Sequence, residues 1–229
     1  MLIVDDLDLL CQYLSGLIGK PEGMPFLFFK IFLDQIRVML CMYAGYPLGF
    51  LMYAVVRGTF ARHLFSIVTG FLLQLYMFRG GVIHPIIMTF VTFAIMNLLP
   101  RTQQHKYVMV FTMCYLSGSH IYRMLTNFGG WDMDITTYTM ILTTKLSAMA
   151  FCYRDGAFDN DTLKVQSIAV QNKIESKPTL LEVLSYVYFS SSCICGPFFE
   201  FADYRNYIEM QGVFANIPNT AYASFKNFL

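Results

Sequence analysis

Residues Leu184–Glu209 read LSYVYFSSSCICGPFFEFADYRNYIE. An uncharged run that is apolar enough to enter a bilayer ends at Gly196-Pro197. Phe198 and Phe199 follow, and then Glu200, Asp203 and Arg205 arrive among further Phe and Tyr residues. Ionisable groups set directly against an apolar run are costly in lipid, so such a segment either ends a membrane span or lines a polar site. The expectation from this stretch is a span that stops at Gly196-Pro197 and meets charge there.

Working outward, the chain is a series of similar runs. Val38–Val56 is uncharged between Arg37 and Arg57 and is close to the roughly 20 residues a span requires. It contains Gly45-x-x-x-Gly49, the spacing that lets helices approach closely, with Pro47 between them as a kink. Leu64–Phe78, Gly80–Pro100 and Tyr107–Tyr122 are three further runs. Within Gly80–Pro100, His84 sits beside Pro85 and is expected to bond a carbonyl that the proline frees. Asp132 or Asp134 is expected to cap a helix over Ile135–Tyr153. Lys145 near its middle must face protein or water, either paired structurally or lining a polar cavity.

These lengths are too continuous for barrel strands. The expected fold is therefore all-α, a polytopic membrane bundle of about 5–7 hydrophobic helices. Residues 1–37 read as an amphipathic lead-in, 38–211 as the membrane body and 212–229 as a polar tail. Arg57, Arg62, Arg101 and Lys106 fall on one side of the bundle, while Lys30, Arg37, Arg79 and Arg123 fall on the other. If Ile135–Tyr153 spans, the basic residues of the 154–177 loop make the first side cytoplasmic. The sequon Asn160-Asp161-Thr162 would then stay unmodified.

Composition narrows the function. Charged residues are 14% of the chain and hydrophobic residues 56%, against about 25% charged in soluble domains. A net charge of +1 gives no polycationic signal for nucleic acid. Cys41, Cys114, Cys193 and Cys195 lie in apolar runs, and Cys193-x-Cys195 lacks zinc spacing, so no metal and no disulfide are assigned. The opening MLIVDDLDLL carries acids where a cleaved signal carries bases. A transporter would show repeated halves, and none is evident.

Three patches, in order, are Gly130-Trp131-x-x-Asp134-Ile135-Thr136, Phe151-x-Tyr153-x-Asp155-Gly156 and Gly196-Pro197-Phe198-Phe199-Glu200-Phe201-x-Asp203-Tyr204. Together with Pro178-Thr179-Leu180-Leu181-Glu182-Val183-Leu184-Ser185-Tyr186, they resemble the membrane-bound O-acyltransferases, in the lysophospholipid branch, from about residue 115 to 211. The resemblance implies transfer of a fatty acyl group from acyl-CoA to the free hydroxyl of a lysophospholipid in phospholipid remodelling, in the endoplasmic reticulum membrane. Acyl-CoA is then a co-substrate, and no metal or other cofactor is implied. The partners are lysophospholipid, acyl-CoA and membrane lipids.

Carried over residue by residue, the resemblance makes Asp134, Tyr153, Asp155, Glu200, Asp203 and Tyr204 candidates for the wall of a substrate chamber. It makes Trp131, Gly156, Gly196, Pro197 and Phe198 structural residues of the motif. The histidine base of the family stands in a Trp-His-Gly segment. Here the single Trp131 precedes Asp132, and His63, His84, His105 and His120 all lie ahead of where that base belongs. No catalytic residue is assigned, and residues 1–229 read as the N-terminal half of such an enzyme. The alternative is a non-catalytic short form that binds lipid or a partner.

Overall fold

The computed structural model describes residues 26–128, 134–158 and 167–215, with side chains from residue 34 except at 167 and 168. All regular structure among them is helical. In order, the helices are α1 (Phe26–Val55), α2 (Thr59–Phe78), a 3-10 turn (Arg79–Val82), α3 (Ile83–Leu98), α4 (Gln104–Thr126), α5 (Ile135–Asp155), α6 (Ser167–Asn172), α7 (Leu180–Val187) and α8 (Phe201–Glu209). A last 3-10 turn covers Gly212–Ala215. Trp131 and the 159–166 sequon segment lie outside the described residues.

Two stretches, Asp34–Val55 and Thr59–Leu98, are long and apolar enough to cross a membrane. α4 and α5 have the length, 23 and 21 residues, but polar residues interrupt them. On α1, Met39, Met42, Tyr43, Tyr46, Phe50 and Tyr53 are exposed. An apolar face of that size is rare on a water-soluble monomer and natural against lipid.

α5 is the central helix. Tyr138, Leu142, Leu146, Met149 and Ala150 are wholly buried along it. Its buried threonines satisfy themselves: Thr139 donates to the Thr136 carbonyl and Thr143 to the Thr139 carbonyl, each at 2.8 Å. A hydroxyl bonded back to its own helix can be buried at little cost. Asp134 caps α5, its Oδ1 accepting from the Ile135 N–H at 2.6 Å.

Pro85 occupies the first turn of α3 and frees no carbonyl, since a proline there interrupts no helical hydrogen bond. His84 instead pairs with the Tyr115 hydroxyl at 2.7 Å. The two ends of the bundle are sorted as the charges suggest. At one end, Arg62 donates to the Ile208 carbonyl at 2.9 Å and Arg101 to the carbonyls of Tyr153 and Ile174. At the other end, Arg123 donates to Thr136 at 3.1 Å.

The opening stretch is not a span that ends at Gly196-Pro197. Its helix, α7, stops at Val187, and residues 188–200 are irregular. α7 starts with a full capping box between Thr179 and Glu182. The chain then descends along α2, meeting it at Ser185 with His63, Tyr188 with Gly70 and Cys193 with Gln74. From His63 to Gln74 that is about 16 Å along the helix.

The segment then reverses, with Gly196 packed on the backbone of Ser191 and Ser192, and returns to Glu200 beside Cys152. Arg205 of α8 closes the loop by pairing with Glu182 at 3.2 Å. The stretch is thus a re-entrant loop that leaves by the end it came in. Four consecutive residues, Ser190 to Cys193, are small, and Pro197 donates no N–H, so a helix is not sustained through them.

Candidate functional site

Irregular backbone within an apolar bundle has carbonyls that no helix satisfies, and these must find donors. Three buried side chains supply them. Gln74 Nε2 donates to the Cys193 carbonyl at 2.8 Å, and Tyr138 Oη to the Val187 carbonyl at 2.6 Å. Lys145 Nζ donates to the Tyr186 carbonyl at 3.1 Å and to Ser192 Oγ at 2.5 Å. All three are fully buried. Lys145 also lies 4.7 Å from the ring centres of Tyr186 and Phe199. It therefore touches the descending limb, the turn and the returning limb together. Of the two sequence readings of Lys145, the structural one holds.

The returning limb is tied to the descending one by Tyr186, whose hydroxyl donates to the Phe199 carbonyl at 2.7 Å. Edge-on ring contacts join Tyr186, Phe189, Phe199, Phe201 and Tyr204. Such contacts add about 0.5–1.5 kcal/mol per pair beyond burial. A buried polar pair sits behind them: His63 Nδ1 is 2.6 Å from Ser185 Oγ and 3.4 Å from the Tyr204 hydroxyl.

The candidate residues divide into three places. Tyr153, Asp155 and Glu200 gather near the C-terminal end of α5. Tyr153 carries the Arg101 guanidinium over its ring at 4.3 Å. Asp155 pairs with Arg154 at 2.6 Å, and Gly156 beside it leaves the room that Arg101 and the Ile174 carbonyl occupy. Glu200 Oε2 is 3.7 Å from Cys152 Sγ. Burial holds its carboxyl above the ordinary value, and the negative charge of Asp203 adds to that.

Asp203 and Tyr204 lie on α8 and face a cavity of about 370 Å³ between α1 and the loop. A second cavity, of about 540 Å³, continues along α1 past Gly45, Tyr46 and Ser191, with Gly196 and Pro197 in its wall. Phe198 is exposed. Asp134 joins neither group. It lies at the far end of α5, about 30 Å from Asp155 by the length of the helix. There it pairs loosely with Arg123 and lines a separate cavity with His84, Tyr115 and Ser119.

Sequence reasoning gave no role to Gln74 or Ser192, named Ser185 only within a motif patch, and weighed His63 only as a base that the family pattern does not support. A lone Gln in the apolar run Leu64–Phe78 was the available signal.

A loop of this sequence, held by buried donors within a helical bundle, can be set against known proteins. The model of the membrane-bound O-acyltransferase family matches residues 84–226. The chain belongs to that family. The match contains all three patches and reaches further toward the N-terminus than residue 115, where the sequence resemblance begins.

Among relatives of this family, the Schizosaccharomyces pombe lysophospholipid acyltransferase is 25% identical over 193 residues, covering 82% of this chain and 37% of its own length. The human lysophospholipid acyltransferase 5 is 28% identical over 198 residues, covering 84% and 40%. The chicken membrane-bound glycerophospholipid O-acyltransferase 2 is 30% identical over 154 residues, covering 66% and 29%. The chain thus spans between 29% and 40% of the length of these relatives.

Proposed function

We propose that this chain forms the N-terminal wall of a lysophospholipid acyltransferase of the endoplasmic reticulum membrane. In that reaction the free hydroxyl of a lysophospholipid attacks the thioester carbonyl of acyl-CoA. The C–S bond breaks, the new ester forms, and the hydroxyl proton leaves with the coenzyme A thiol. A thioester gives way to an oxygen ester with no net change of oxidation state. The observation that carries the reading is the re-entrant loop. The patch Gly196-Pro197-Phe198-Phe199-Glu200 is its returning limb, and the loop brings polar backbone and an acid inside an apolar bundle. Such an opening is needed by an enzyme whose two substrates each join a long chain to a polar head.

The general base that a hydroxyl attack requires is assigned to none of the histidines here. His63 is held by Ser185, His84 by Tyr115, and His105 lies beside Arg154. Purified residues 1–229 with acyl-CoA and lysophospholipid are accordingly expected to give no turnover. The positive test is a chimera in which residues 84–226 replace the matching segment of a full-length relative. It is expected to acylate lysophospholipid from acyl-CoA. A chimera that folds, reaches the membrane and shows no turnover overturns the proposal.

A further inference from the structure

Among the described cysteines, Cys41 and Cys193 are the two that are buried, and both are free thiols. They come from distant parts of the chain, the middle of α1 and the turn of the re-entrant loop. Yet they belong to one small cluster. Ile194 completes it, and Leu73, Tyr76 and Met77 of α2 pack against it.

Separate observations set the two residues at one level of the bundle. α1 and α2 leave their connection at residues 56–58 side by side, with Ser66 donating to Met52 Sδ at 3.6 Å. Cys41 lies about 21 Å from the end of α1 at Val55, and Gln74 about 22 Å from the start of α2 at Thr59. Gln74 in turn holds the Cys193 carbonyl at 2.8 Å.

The two backbones meet close by. A Cβ on Gly45 would lie 3.5 Å from the Ser191 Cα, which places the two Cα atoms within about 5 Å of one another. A disulfide needs a Cα separation of about 4.4–6.8 Å. Cys41 is one helical turn from Gly45 on the same face of α1, and Cys193 is two residues from Ser191. From that contact, both cysteines lie in the same direction, away from the α1–α2 connection.

We propose that Cys41 and Cys193 form a reversible disulfide that ties the tip of the re-entrant loop to α1. A hydroperoxide is the oxidant. One thiol sulfur attacks the peroxide oxygen, its proton goes to the departing alcohol, and a sulfenic acid remains. The second thiol displaces water from that sulfenic acid. Two thiols and one hydroperoxide thus become one disulfide, one alcohol and one water. An apolar hydroperoxide suits buried thiols, and the cavity of about 540 Å³ lined by Gly45 and Ser191 opens beside them. Reduced, the tip depends on hydrogen bonds from Gln74 and Lys145. Oxidised, it is joined to α1 by a covalent bond. The bridge needs no acyl transfer to form.

The test treats the whole chain in maltoside micelles with tert-butyl hydroperoxide. It is then alkylated with N-ethylmaleimide under denaturing conditions and digested. Mass spectrometry is expected to find the peptide pair that joins Cys41 to Cys193, and dithiothreitol should remove it. Before denaturation, amides of residues 189–195 should exchange about 10-fold more slowly in the oxidised chain and regain their rate on reduction. Cys195→Ser should leave both results intact, and Cys41→Ser should lose both.

Recovery of Cys41 and Cys193 as alkylated thiols after oxidation overturns the proposal. So does a bridge from the exposed Cys195 to either of them in place of this pair. A Cys41–Cys193 bridge that leaves exchange over 189–195 unchanged overturns the tether. Each of these results is read on the unaltered chain, whether or not a variant folds.

Discussion

Lys145→Met tests whether the re-entrant loop is held from inside. The substitution keeps nearly the volume of the side chain, shortens it by one atom and removes the ammonium. The ammonium makes two hydrogen bonds, to the Tyr186 carbonyl and Ser192 Oγ, and lies over two rings. Hydrogen bonds to a charged donor contribute about 1.5–3 kcal/mol each, and desolvated ring contacts up to about 2 kcal/mol. Against this stands the cost of burying a charge with no carboxylate beside it, several kcal/mol in real proteins. If only these were compared, they would nearly cancel.

The balance is decided by what remains in the variant. The Tyr186 carbonyl lies in the last turn of α7 and, like Ser192 Oγ, loses the donor that Lys145 provides, at about 1–3 kcal/mol per orphaned group. We expect a net loss of about 3 kcal/mol, confined to the loop, because α5 keeps its apolar packing. Hydrogen exchange in micelles should show amides of residues 186–200 opening about 100-fold faster, while α4 is unchanged. Thr144→Val, on the exposed face of the same helix, is the control. Unchanged exchange across 186–200 would refute the view that Lys145 clamps the loop.

Three further predictions concern the same element. A Cβ on Gly70 would overlap the Tyr188 carbonyl oxygen, so Gly70→Ala should displace the loop at a cost of about 3 kcal/mol or more, whereas Gly49→Ala meets open space and should leave thermal stability unchanged. Thr179→Ala removes one half of the capping box and should cost about 1 kcal/mol, read as faster exchange in the first turn of α7. Glu200 keeps its proton above the ordinary value of 4.5, so the folded chain binds that proton more tightly than the unfolded chain does. Its effect on stability is therefore favourable at low pH and is lost as pH rises from 4.5 through the raised value. Glu200→Gln should flatten that fall in melting temperature, and an unaltered pH profile would contradict the burial of Glu200.

Much of the helical plan was legible. The run Val38–Val56 lies within α1 except for its last residue, the acid before Ile135 is a cap, and Arg62 and Arg101 each hold a backbone carbonyl at the same end of the bundle. Each of these depends on neighbours in sequence or on charge beside an apolar run. The candidate site was legible only in part. Motif residues that share a patch, such as Asp203 and Tyr204, stay together because one helix carries them. Asp134 belongs to a different patch from Tyr153 and Asp155, and the 21 residues of α5 set the two patches at opposite ends of one helix.

The sequence by itself determined that Leu184–Glu209 is apolar, broken at Gly196-Pro197 and charged beyond it. It did not determine whether that stretch crosses the bundle or turns back. Hydropathy is the same for both paths, because it counts what a segment is made of and not where its carbonyls find donors. The turn depends on Gln74, Tyr138 and Lys145, which stand 119, 49 and 41 or 47 residues from the groups they bond. Only the tertiary structure brings those donors to Cys193, Val187, Tyr186 and Ser192, and only with them in place can an unwound segment remain inside an apolar bundle.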